Sequence, residues 1–246
     1  MHPRLAQFGP LVIPTYSVVA AVGLIYALVF AEWCAPRAGV PRERIWNLCL
    51  AVLLGTVVLS RLVLIAELFA AFRTYPRLVL FLPTLTKFGP AIVLVCFLAY
   101  AAPTRMPWLR TLDAIAAPSL LLLTALHVGS FFAGNDLGSG TSLSIGNLVP
   151  GDEGHHPVAL YAAALTLSAC VASLVTLLRQ HRPGRAFGVA LAGGAMARYF
   201  ADEFRPSYLL TDLRVPGFLR ADQLLLIALT TAGMLLLLTP KVRHAQ

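Results

Sequence analysis

The segment WNLCLAVLLGTVVLSRLVLIAELF, residues 46–69, runs for 24 residues with Arg61 and Glu67 as its only charges. As an α-helix it would rise ~36 Å, more than the ~30 Å hydrocarbon core of a bilayer. So long an apolar run reads as a transmembrane helix. Arg61 is the exception that matters: a cation inside such a span costs a few kcal/mol unless something holds it, so it asks for a partner.

Outward from that segment the pattern repeats. Apolar runs at 11–32, 78–100, 112–133, 156–178, 186–204 and 221–239 bring the expected crossings to seven. Composition agrees: 58% of the chain is hydrophobic and 12% charged, against about 25% charged in an ordinary soluble domain. The expected fold is therefore all-α and polytopic, one membrane-embedded domain over 1–246. No internal repeat or low-complexity tract interrupts it. The run at 11–32 lacks a small-residue cleavage site and reads as an uncleaved span. The third run contains Pro83, Lys87, Gly89 and Pro90. It is either an ordinary proline-kinked helix or a break that lines a wet cavity. Cys34, Cys49, Cys96 and Cys170 show no paired spacing, which suggests apolar packing and neither a disulfide framework nor a metal site.

The net charge of +8 is unevenly distributed. With seven spans, the loops 33–45, 101–111 and 179–185 and the C-terminal tail share one side and carry ten Lys and Arg, against six on the other. The positive-inside rule places the richer side in the cytoplasm, with the N-terminus outside and the C-terminus inside. Topology and anionic lipid account for the basic excess, so no nucleic-acid partner is implied. Trp33, Trp46 and Trp108 then fall at the cytoplasmic interface as anchors.

Arg61, Lys87 and Arg198 lie within spans, all in the outer half; Arg198 is ~9 Å from its helix end. Each could snorkel singly to the headgroups. Other polar groups gather at the same depth, however: Tyr16, His127, His156 and Tyr161, with Asp202 at i+4 from Arg198. The inner half is nearly bare of such groups, and that asymmetry marks a site. Arginine forks and a lysine suit a phosphate, histidine moves protons near neutrality, and glycine admits close backbone approach. Together they point to a phospholipid headgroup, bound for chemistry or for transport. Asp113, at the inner start of a helix, reads as an N-cap or first-turn residue.

The segment DAIAAPSLLLLTALHVGSFFAGNDLG, residues 113–138, resembles the signature of the prolipoprotein diacylglyceryl transferase family, with Asp113, Gly129, Phe131, Gly134 and Gly138 in register. FGPLVIPTYSVVAAVGL is similar to that family's first helix and LSRLVLIAEL to its Gly-Gly-Arg segment. HHPVALY and GAMARYFADEFRPS resemble two later motifs. The resemblance implies transfer of the diacylglyceryl group of phosphatidylglycerol to the cysteine thiol of a lipoprotein precursor peptide at the outer leaflet of the bacterial inner membrane, with no cofactor. That reaction needs a proton acceptor, for which the residues present offer His127, with His156 as reserve, and Asp202 as the acidic member. Arg61, Arg198, Arg205, Lys87, Tyr16, Ser130, Gly134 and Tyr161 would bind substrate.

The chain departs from the family pattern in specific places. Phe88-Gly89-Pro90 replaces a His-Gly-Gly, His127 stands for the signature arginine, Ser130 for its asparagine, Asn135 for its acid and Ala162 for a glutamate. A second reading therefore stays open: a phospholipid-binding or transport protein that keeps the cavity without the chemistry.

Overall fold

The computed structural model describes residues 4–8, 11–74, 88–143, 145, 154–179, 182–206 and 221–238. The chain is a mostly helical, polytopic membrane protein. Its first element is an antiparallel hairpin of β1 (Arg4–Phe8) and β2 (Leu11–Pro14), in the register Ala6↔Ile13 and Phe8↔Leu11. The expected all-α fold missed this hairpin, because residues 11–14 were read as the start of a helix. Val12 and Ile13 favour extended backbone, and Pro14 stops a helix from growing backward through it.

Helices follow: α1 (Thr15–Cys34), α2 (Arg42–Glu67), the short α3 (Phe69–Thr74), α4 (Gly89–Ala101), α5 (Trp108–Ala133), α6 (Val158–Arg179), α7 (Arg185–Glu203) and α8 (Ala221–Leu238). Pro14, Pro41 and Pro107 sit at the N-caps of α1, α2 and α5, in extended conformation. A ring-locked φ and a missing N–H cost nothing at that position. At its other end α5 stops on Gly134, whose φ of 75° closes the helix, and the N–H of Asn135 returns to the Ser130 carbonyl.

Four segments are long and apolar enough to cross a bilayer: Thr15–Ala38, Arg42–Glu67, Trp108–Ala133 and Val158–Arg179. They match four of the seven expected runs. Of the expected crossing at 78–100, the described part is α4, only 13 residues long, and Lys87 lies outside the described residues. The run at 221–239 forms α8, another short apolar helix. The run at 186–204 forms α7, whose composition explains why it differs. Its buried positions include Ala186, Gly188, Ala190, Ala192, Ala195, Ala197 and Ala201, so it packs by closeness and not by bulk.

The packing order is α1 on α5, α5 on α6 and α7, α6 on α7, and α7 on α8, while α2 packs mainly on α4 and α1. Small residues make the contacts. A Cβ on Gly23 would collide with Ala125, one on Gly193 would meet Ala169 at 2.8 Å, and one on Gly233 would meet the Gly188 carbonyl oxygen at 2.6 Å. The large apolar side chains instead face outward: Val22, Ile25 and Val29 on α1, and Leu54, Val58 and Leu62 on α2, are exposed. In a bilayer those faces meet acyl chains.

Asp113 corrects the sequence reading. It does not cap its own helix, which begins at Trp108. Its buried carboxylate accepts the backbone N–H groups of Gly184 (2.6 Å) and Phe187 (2.8 Å), at the start of α7. The carboxylate of α5 thus satisfies orphan donors of α7 and complements that helix's positive end. Asp113→Ala should lower stability by about 2 kcal/mol, with Asp113→Asn losing less because it keeps an acceptor. Thermal unfolding in detergent measures this, and an unchanged melting curve for the alanine variant would show that the cap contributes nothing.

Candidate active site

The C-terminal end of α5, the following segment, the N-terminal end of α6 and the C-terminal end of α7 meet at one end of the bundle. Main-chain bonds stitch them together. The Gly138 N–H donates to the His156 carbonyl (2.9 Å), the His156 N–H to the Ser139 carbonyl (3.1 Å) and the Ser139 N–H to the Phe204 carbonyl (2.7 Å). Gly138 must be glycine for this approach, since a Cβ there would stand 2.7 Å from the His156 carbonyl oxygen.

Onto that frame four charges converge. The buried Arg205 guanidinium is shared by two carboxylates. Its Nε (2.7 Å) and Nη2 (2.5 Å) donate to Asp136, and its Nη1 donates to Asp202. The second oxygen of Asp202 accepts from Arg198 Nε at 3.0 Å. The side chain of Asp202 is 3% exposed and that of Arg198 48%. Arg198 is therefore aimed by its Nε while its two terminal nitrogens make no hydrogen bond among the described residues. A planar fork held at its root and open at its tip fits a phosphate.

Asp136 shows how tightly the group is coupled. Burial alone would raise its carboxyl, but the Arg205 hydrogen bond, helped by the charges of Arg205, Arg198 and His127, outweighs burial and holds the group below its ordinary value. His127, half-buried on α5, is thereby within electrostatic reach of Asp136 and of both arginines. Asp136 adopts a φ of 66°, a left-handed conformation that aspartate tolerates better than most residues.

The other expected site residues distribute as follows. His156 Nδ1 lies 3.2 Å from the Tyr161 hydroxyl, and both rings pack on Phe204, at 5.0 and 5.2 Å between centroids. They support the residue directly before Arg205. Tyr16 is half-buried on α1 and lies against Gly129, where a Cβ would approach its ring to 3.3 Å. Ser130 is half-buried one turn from the end of α5, and Gly134 supplies that end. Arg61 is half-buried on α2, whose main neighbours are α4 and α1 and not the helices of the charge cluster. Asp136 was not among the expected site residues. The signal for it was its place beside Asn135, the position in register with the family's acid.

Residues 3–239 match the family described as Prolipoprotein diacylglyceryl transferase. Among curated proteins, the phosphatidylglycerol–prolipoprotein diacylglyceryl transferase of Photobacterium profundum is 27% identical over 216 residues, which cover 83% of this chain and 80% of that protein.

The coupling of Asp136 to Arg205 has a pH signature. A carboxyl whose folded pKa is depressed stabilises the fold above its unfolded pKa, near 4, and that stability is lost as pH falls through the lower folded value. Asp136→Asn should cost about 1–3 kcal/mol at neutral pH and flatten the stability profile below about pH 4. Denaturation at a series of pH values checks both. Parallel profiles for native protein and variant would mean that the pair is not felt by the fold.

Proposed function

The chain belongs to the prolipoprotein diacylglyceryl transferase family, and from that membership we propose that it transfers the diacylglyceryl group of phosphatidylglycerol to the cysteine thiol of a lipoprotein precursor. Membership supports a general role in diacylglyceryl transfer and lipoprotein biogenesis. The finer assignments rest on the geometry. The observation that carries them is the open fork of Arg198, aimed by Asp202 and placed within reach of His127.

In the proposed step the thiol sulfur forms a bond to the glyceryl carbon while that carbon's bond to the phosphate oxygen breaks. The thiol proton goes to His127, and the electron pair leaves with glycerol phosphate. The terminal nitrogens of Arg198 take the growing charge on the phosphate, which is the transition-state stabilisation such a site can supply. Asp202 and Arg205 act through Arg198 as positioning residues, because their own polar atoms are occupied within the cluster. His156, paired with Tyr161, is the reserve proton acceptor. Tyr16, Ser130 and Gly134 line the approach along α5, and Arg61 and Lys87 add positive charge for the lipid from outside the charge cluster.

A second reading has a specific observation behind it. The position of the family's third-helix histidine is held here by Phe88, exposed at the start of α4. A protein that binds the lipid without transferring it would show that pattern.

Transfer from labelled phosphatidylglycerol to a lipobox peptide in detergent separates the two. Native protein should transfer, and His127→Ala should lower the rate by about 10²–10⁴, the scale of general-base catalysis. His127→Arg should not restore the rate if the ring takes the proton, and should restore it if the position only binds phosphate. Lipid bound by native protein without any transfer would leave the binding reading standing.

We place the catalytic end at the outer leaflet of the bacterial inner membrane, with seven crossings, the N-terminus outside and the C-terminal tail in the cytoplasm. The motive is the ten-to-six distribution of Lys and Arg. A reporter fused at residue 182 should be cytoplasmic, and its appearance outside would invert the site with it.

A further inference from the structure

At the end of the bundle away from Arg198 there is a second concentration of positive charge. A cavity of about 220 Å³ opens between the turn after α1, the start of α5 and the turn from α6 to α7, and Arg37, Arg110 and Arg182 line it. Asp113 is the one carboxylate on its wall among the described residues, and both of its oxygens accept backbone N–H groups of α7 and its N-terminal cap. Arg110 and Arg182 have no carboxylate partner among the described residues. The cavity therefore presents three cations against one engaged anion. Asp113 and His127 are 14 residues apart on α5, so the two charged ends stand ~21 Å from each other.

An apolar groove lies beside the cavity, linked to it by the contact of Arg37 with Trp33. Arg37 lies over the Trp33 ring, 3.3 Å from its centroid, and its Nη1 donates to the Trp33 carbonyl at 2.5 Å. Trp33 in turn lines an open trough of about 520 Å³ with Tyr26, Phe30 and residues of α5 and α6. The trough runs along the face of α1 that a bilayer would cover. Charge at one end and an acyl-sized apolar track leading from it describe one amphipathic ligand. The stacked Arg37 and Trp33 form the boundary between its two parts.

We propose that this end of the bundle binds an anionic phospholipid of the leaflet opposite the candidate active site. Its phosphate sits among Arg37, Arg110 and Arg182, and one acyl chain lies along Tyr26, Phe30 and Trp33. The lipid is a structural ligand here, not a substrate: it joins α1, α5 and the α6–α7 turn where the helices end. A neutral lipid would leave the arginines facing each other unscreened, and a free phosphate would leave the trough uncommitted. The charge and the groove together select a lipid with a net negative headgroup.

The test uses the full chain in phosphatidylcholine nanodiscs with a phosphatidylglycerol that carries a photoreactive acyl chain. Arg198→Gln serves as background, so that labelling at the candidate active site is reduced. Cross-links should map to the Tyr26–Trp33 face, and R110Q/R182Q should lower them by about tenfold or more, while R110K/R182K keeps most of them. Both arginines are exposed and unpaired among the described residues, so the glutamine variant should melt like the parent in pure phosphatidylcholine. Labelling unchanged by R110Q/R182Q, or equal labelling by a photoreactive phosphatidylcholine, would overturn the proposal. So would inorganic phosphate that raises the melting temperature as much as phosphatidylglycerol does, since the site would then take a free anion.

Discussion

Arg205 between Asp136 and Asp202 is the interaction on which the candidate site depends. It is one cation shared by two acids from segments 66 residues apart in the chain. Neutralising one partner of such a set costs about 1–3 kcal/mol, because a charge-assisted hydrogen bond is lost and the remaining charge is less well compensated. The arrangement therefore holds together or fails as a unit. It fixes the segment after α5 to the end of α7, and through the second oxygen of Asp202 it fixes the direction of Arg198. The same two helices are joined at their far ends by Asp113, which caps α7 from α5. Two carboxylate-centred contacts, one at each end, thus set the register of α5 against α7. A helix built of alanine and glycine could not set that register through side-chain interlocking alone.

The division of labour between residue types follows from the solvent. Within a bilayer, burying an apolar side chain against another gains little over leaving it in lipid, so helix association rests on close approach and polar contact. Glycine and alanine hold the interfaces of α5 through α8, and the large aliphatic residues of α1 and α2 point outward. The charged side chains of α5 and α7 gather at the two ends of those helices.

Four crossing helices were legible from hydropathy and length, because those quantities alone fix them. The Arg198–Asp202 pair was legible from its i, i+4 spacing; counting residues to a common membrane depth singled out Tyr16, His127, His156 and Tyr161, while Arg205 came only with the family motif. The rest depends on contacts between distant segments, which a linear pattern does not carry. Asp113 looked like a local cap because local spacing is all that sequence offers, yet its partners are 71 and 74 residues away. Asp136 was passed over because register with the family pointed one position earlier, and only the turn of the chain at Gly134 brings Asp136 to Arg205. The hairpin before α1 was hidden because Val12 and Ile13 serve a strand and a membrane helix equally well in hydropathy.

Charge balance gives the replacement of arginine by His127 its meaning. Arg198 and Arg205 face Asp136 and Asp202, and Asp222 at the start of α8 also acts on Arg198, so the arginines are already balanced by carboxylates before a ligand arrives. A permanent cation at residue 127 would add one positive charge in every state, strengthening phosphate binding but offering no acceptor for a proton. A neutral imidazole has a nitrogen that can accept a proton. Under the proposed function, that nitrogen takes the proton of the incoming thiol. With the histidine of the third helix replaced by Phe88, the ring at 127 is the one described titratable base coupled to Arg198 and Asp136 together. Under the proposed function, binding and proton transfer would then meet at a single side chain. On that same proposal a phosphate beside it would favour the charged ring, so the lipid would be held mainly by Arg198, which leaves His127 free for the thiol.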